Sequence, residues 1–216
     1  MNNVNLRRLL CVNIDLDDCI YDTEPEMCRI LLAEYGYNAP RDCYLTPENT
    51  DGLLAEILTS ASFMASTPLR KEFEKCEGYF NRMRTHWARV ARFQFVTHRG
   101  YHEQGPELTR RALCRDKLQH MEIVYLDPKV HSDKMAWLRK NQPQFDHILF
   151  DDRPCHNFEH GTSEGTDSVY VMDQPWNRDA RYGGYPNRIT CASGMATVID
   201  RAIHSHVAKY FGKPKK

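Results

Sequence analysis

Two short apolar runs in this chain each break off in acid: LLCVNIDLDD over residues 9–18 and HILFDDRP over 147–154. Runs of this length, rich in branched and apolar residues, suit strands buried on both faces. A pair of carboxylates placed directly after such a strand belongs at its carboxyl end, outside the apolar layer. Further along, 93–97 (FQFVT), 122–126 and 168–172 also read as strands, while 105–117, 132–141 and 192–209 carry helical patterning. Alternation of this kind predicts an α/β fold, a Rossmann-like parallel sheet joined by right-handed crossovers.

Between the first strand and the rest lies a stretch of different texture. Residues 24–35 read as a helix stopped by Gly36, and 52–60 as a short helix. From Thr67-Pro68 to about residue 92, Leu69, Phe73, Cys76, Phe80, Met83, Trp87 and Val90 recur at helical spacing. The reading is therefore a small helical cap over 24–92, inserted into a core made of 1–23 and 93–216. Tyr44, Phe63, Phe73, Tyr79, Phe80 and Trp87 are expected mainly as core, with a base-stacking wall as the alternative. The loop 173–178 follows the last strand and would border the same sheet edge.

Composition closes off several classes. The 29 Lys+Arg balance 29 Asp+Glu and the pI is about 7.1, so bulk electrostatic binding of nucleic acid is not expected. No run approaches the roughly 18 apolar residues of a membrane span. The acids at 15, 17 and 18 do not suit a signal peptide. A cytoplasmic location is the expectation. The 8 Cys are dispersed without a CxxC pair, and Cys155, His156 and His160 lack a fourth ligand at zinc-site spacing.

Ligands of an open parallel sheet lie beyond the carboxyl ends of its strands, so the strand ends carry the chemistry. They supply Asp15, Asp17 and Asp18, then Thr97, His98 and Arg99, then Asp151, Asp152 and Arg153. Carboxylates crowded together call for a cation, and an oxygen-only set at a rigid edge suits Mg²⁺. Asp15 and Asp17, two apart in an extended segment, share a side; one can attack while the other moves protons. Ser132 reads as a helix N-cap, which puts Lys134 in the first turn. The helix dipole disfavours a cation there, so its position makes sense beside something anionic. Thr97 offers a hydroxyl for a phosphate oxygen.

With these residues in view, the chain resembles the haloacid dehalogenase superfamily. VNIDLDDCIYD is similar to motif I, FVT to motif II, Lys134 to the lysine of motif III, and ILFDDRP to motif IV. The DDRP form and the cap after the first strand resemble the 5′(3′)-deoxyribonucleotidase-like branch. Cys19 stands where Thr or Val is usual, and Asp18 where the nucleotidases tend to carry Gly. The resemblance implies a phosphomonoesterase with an aspartyl-phosphate intermediate. Asp15 would be the nucleophile and Asp17 the proton carrier. Mg²⁺ would be held by Asp15, the Asp17 carbonyl, Asp151 and Asp152. Thr97, His98 and Lys134 would hold phosphoryl oxygens. The expected substrate is a small phosphorylated molecule, a (deoxy)nucleoside monophosphate first. The alternatives are a sugar phosphate, a nucleic-acid end, or nucleotide binding without turnover.

Overall fold

The computed structural model describes residues 8–40, 43–74, 77–154, 166–178 and 185–212. Among the described residues six strands form one sheet: β1 (Leu9–Ile14), β2 (Ala91–Thr97), β3 (Glu122–Tyr125), β4 (Phe145–Asp151), β5 (Val169–Met172) and β6 (Asn187–Ile189). Their order is β3-β2-β1-β4-β5-β6 and every pairing is parallel. β1 and β4 are largely buried on both faces because helices cover both sides of the sheet. The direction of winding reverses between β1 and β4. The acids at 15 and 151 therefore flank the switch-point crevice of a doubly wound sheet.

Helices α1 (Thr23–Tyr35), α2 (Leu53–Ser60), α3 (Phe63–Ser66) and α4 (Glu77–His86) lie between β1 and β2. The first three enclose a small core of their own, built on Leu31, Leu54, Ile57, Phe63 and Met64. Gly36 ends α1 in the left-handed conformation, φ 67°, with its N–H donated to Leu32 O. After β2 come α5 (Gly105–Arg115), α6 (Lys134–Asn141) and the long α7 (Ala192–Phe211). No described helix is long and apolar enough to cross a membrane.

Several local expectations change. The stretch after Thr67 is not one helix. Thr67 follows α3 as its C-cap, and its hydroxyl donates to Phe63 O at 2.6 Å. Leu69 then pairs with Tyr21 as an antiparallel bridge, Asp22 N donates to Pro68 O, and Arg70 N donates to Ile20 O. These bonds to the loop after β1 hold 68–70 extended, and Phe73 and Phe80, both beyond the break, reach the main core. β2 starts at Ala91, two residues earlier than expected. The N-cap of α6 is Asp133, whose carboxylate accepts from Ala136 N at 2.9 Å, rather than Ser132. β6 was not anticipated. Of the cap aromatics, Phe73 and Phe80 join the main core with Tyr79 and Trp87 against it, and Phe63 joins the cap core. Cys76, the Cys155–His156–His160 group and the basic C-terminal tail lie outside the described residues.

A seam of amides runs through the middle of the sheet. Asn13, fully buried on β1, donates through Nδ2 to Ile148 O of β4 at 2.8 Å. Its Oδ1 accepts from Gln94 Nε2 of β2 at 2.7 Å. Gln94 also donates to Gln142 Oε1 at 3.0 Å, and His147 Nε2 meets Gln142 O at 2.9 Å.

A close approach holds the loop after β2. Gly105, the first residue of α5, lies under the backbone of Arg99: a Cβ built there would sit 2.0 Å from Arg99 O. Overpacking of that kind costs about 1–3 kcal/mol or more. Gly105→Ala is expected to lower the melting temperature by at least about 3 °C and to displace Arg99, both readable by calorimetry and by comparing turnover.

Candidate functional site

β1 hands directly into the site. Asp15 N still donates to Phe150 O at 2.9 Å, so the Asp15 backbone is fixed against β4 before the chain turns. The turn runs through Asp18 in the left-handed region, φ 53°, and Asp18 Oδ1 caps α1 by accepting from Glu24 N at 3.0 Å. Gln174 reaches in from the loop after β5 to donate to Asp18 O. Asn177 donates to both Asp152 O, at 2.9 Å, and Met172 O, at 2.7 Å. The 173–178 loop thus braces the acidic turns from behind.

Lys134, Asp15 and Asp151 come together. The Lys134 ammonium, 1% exposed, lies 2.9 Å from Asp15 Oδ1 and 2.8 Å from Asp151 Oδ2. Burial disfavours its charge, but the two carboxylates outweigh burial and hold it protonated. One ammonium cannot neutralise both acids. Burial pushes Asp15 up to about 8 and also raises Asp151, against the pull of Lys134. Asp152, 4% exposed, is driven well up by burial and then by Asp18 and Asp151. Its carboxylate has no hydrogen-bond or ion-pair partner among the described residues.

Asp17 is set apart from this group. Arg99, 2% exposed, donates Nε to Asp17 Oδ1 and Oδ2 at 3.1 and 3.0 Å, and Nη2 to Oδ1 at 2.6 Å. Thr23 Oγ1 donates to Asp17 Oδ1 at 2.6 Å, and Thr97 Oγ1 lies 3.5 Å from Oδ2. Burial works against ionisation of Asp17, yet Arg99 and Thr23 prevail and hold its carboxyl below the usual range. Arg99 Nη1 also donates to Met64 O, so the same guanidinium ties the core to the cap. Arg99 thus serves as the buried carboxylate partner of Asp17. Thr97 faces Asp17 and accepts from Arg99 N at 3.3 Å. His98 Nε2 meets His131 O at 2.9 Å, with the ring on the cavity wall.

A cavity of about 690 Å³ opens above these groups. Its floor is Asp15, Asp17, Lys134 and Asp152, and its far walls are Met27, Leu54, Leu58, Phe63, Met64 and Tyr101. Tyr44 closes one side, with the Arg153 guanidinium 4.1 Å over its ring and Trp176 edge-on at 6.4 Å. The cavity is therefore acidic at one end and apolar at the other.

Glu24, 5% exposed, lines the same cavity and was not expected there. Burial, then Asp152, pushes its carboxyl up to about 8, while Arg153 pulls the other way. An acid whose folded pKa lies above its unfolded value stabilises the fold less as pH rises. The loss begins near the unfolded value and is complete once pH passes the folded one. In chelator, Glu24→Gln is expected to match the parent below about pH 4.5 and to melt several degrees higher above about pH 8. Equal melting profiles across that window would remove Glu24 from this account.

The class these features define is a doubly wound α/β domain with a carboxylate-and-lysine pocket at its switch point and a helical cap above it. No protein-family model matches the chain, and no curated protein matches it. Among solved structures it is similar to a haloacid dehalogenase-like protein of unknown function from Agrobacterium tumefaciens str. C58. The identity is 13% and the TM-score 0.47, covering 90% of this chain and 99% of that one. It is also similar to CbbY from Rhodobacter sphaeroides, solved in complex with xylulose-(1,5)bisphosphate. There the identity is 14% and the TM-score 0.46, covering 86% of this chain and 98% of that one.

Proposed function

We propose that the protein is a divalent-cation-dependent phosphomonoesterase of the haloacid dehalogenase type, acting on a small phosphorylated substrate through an aspartyl-phosphate on Asp15. The observation that carries this reading is the contact of Lys134 with Asp15 and Asp151 at one buried point, with Asp152 unpartnered nearby. A buried excess of carboxylate over ammonium fits a divalent ion, and Asp15, Asp151 and Asp152 would hold it, with the Asp17 carbonyl. When bound, Mg²⁺ supplies charge neutralisation at the phosphoryl oxygens.

The chain's own groups divide the remaining work. Asp15, at the end of a rigid strand, attacks phosphorus and carries the phosphoryl group. Lys134 neutralises the transferred oxygens, and Thr97 and His98 lie where they can position them. Asp17 takes a proton from the water that hydrolyses the aspartyl-phosphate, and the proton so gained is the one it gives to the next leaving oxygen. Arg99 favours its ionised, proton-accepting form, which suits the second half-reaction. The apolar cap wall takes the leaving group.

Nucleoside monophosphates remain the first substrate class in this proposal, because Tyr44 and Tyr101 present aromatic surface to a cavity large enough for a base. A sugar phosphate is the second reading; the buried Glu24 carboxyl on the wall could accept from a hydroxyl. The test is phosphate release from a panel of 5′- and 3′-nucleotides and sugar phosphates, with and without chelator. Inertness of the Mg²⁺-loaded protein toward the whole panel would sink the reading. Turnover confined to sugar phosphates would replace the substrate class and keep the chemistry.

A further inference from the structure

Cys19 has a place in the cation pocket that an oxygen-only ligand set does not provide for. It is fully buried, forms no disulfide, and follows Asp15 by one tight turn. Its Sγ and one carboxylate oxygen each from Asp15 and Asp152 lie within 4.8 Å of one another, all three residues buried. The Asp152 carboxylate, with no partner among the described residues, supplies an independent sign that this point awaits a cation.

We infer that Cys19, Asp15 and Asp152 form a mixed sulfur–oxygen site that captures a thiophilic divalent cation of the Zn²⁺ class, in competition with Mg²⁺. The inference shares its ion pocket with the proposed phosphatase and adds the thiol. The reason is ligand softness. Mg²⁺ demands hard oxygen donors in an octahedron and gains little from sulfur, whereas Zn²⁺ accepts one thiolate and two carboxylates in a tetrahedron. The fourth position would face the cavity and take water. Binding is a proton exchange: the neutral thiol gives up its proton to solvent, a Zn–S bond forms, and nothing is oxidised.

The experiment uses the full chain stripped with chelator and then titrated with Zn²⁺, Mg²⁺ and Co²⁺ separately. Cys19→Ser is expected to weaken Zn²⁺ by at least about tenfold and to leave Mg²⁺ affinity unchanged. Calorimetry in two buffers of different ionisation enthalpy should show one fewer proton released on Zn²⁺ binding. The Co²⁺ form of the parent should show a near-ultraviolet sulfur-to-metal charge-transfer band, absent from Cys19→Ser.

No such band in the parent, a band that survives in Cys19→Ser, or equal Zn²⁺ affinities would each overturn the site. Because a buried substitution can unfold the chain, Asp152→Asn provides a second arm. It should abolish the Co²⁺ band while every cysteine remains, and a band that persists in it also overturns the site. These readouts need no turnover. A protein that hydrolyses phosphoesters with Mg²⁺ but lacks the band loses only this inference, and one with the band but no hydrolysis loses only the proposed function.

Discussion

Asp15→Asn is expected to reduce phosphate release by more than about 10³-fold, while the chain melts no lower than the parent in chelator. The catalytic half follows from the role of the side chain: an amide at the end of β1 cannot carry a phosphoryl group. The stability half follows from the electrostatics. Asp15 and Asp151 share the one Lys134 ammonium, and burial pushes Asp15 up to about 8. A carboxyl raised above its unfolded value loses folding free energy as pH climbs through that window. Replacing it with a neutral amide removes that loss and leaves Lys134 paired to Asp151. Phosphate release and a melting curve at neutral pH check both halves. A variant of unchanged activity would end the proposal that Asp15 is the nucleophile, and one that has unfolded would contradict the charge balance described here.

Lys134→Met should have the opposite signature, losing both turnover and stability. The ammonium is 1% exposed and lies within 3 Å of two buried carboxylates. Removing one partner of a buried ion pair strands the other and costs about 3–5 kcal/mol. For a chain of this length that is a fall of about 10 °C in melting temperature. Turnover should fall about 10²–10³-fold, as for the loss of one preorganised charge at a developing oxyanion. Lys134→Arg is not expected to restore either, because the planar guanidinium cannot replace a point charge held between two buried acids. Retention of parental stability by Lys134→Met would mean that the two carboxylates are neutral or are screened by another cation.

The parts of this site that could be read in advance are those encoded locally. β1 and β4 announce themselves as apolar runs ending in acid, so Asp15, Asp17, Asp151 and Asp152 are visible from their own neighbours. Lys134 is visible because a cation in the first turn of a helix is out of place unless an anion is near. The pairing of Arg99 with Asp17 joins residues 82 apart, and nothing near either one signals it. Cys19 is recognisable as an unusual residue, but its closeness to Asp152 depends on how the two loops fold toward each other. Glu24 reads as an ordinary acid in a helical first turn. β6, with the sequence NRI, is too short and polar to register as a strand and exists because β5 offers it an edge. The misread helix after Thr67 has a similar origin: the apolar spacing was real, but bonds from Pro68, Leu69 and Arg70 to the loop after β1 outweighed it.

The amide seam of Asn13, Gln94 and Gln142 has a consequence for how the two halves of the pocket meet. An all-apolar strand in the centre of a sheet could slide along its neighbours by two residues and still bury the same kind of surface. Such a slip would carry Asp15 nearly 7 Å away from Asp151, at about 3.3 Å per residue. Asn13 finds its partners in one alignment alone, since in any other a desolvated amide goes unanswered. The seam works as a key cut for one lock: it spends some stability to guarantee that two acids from distant parts of the chain arrive at the same height.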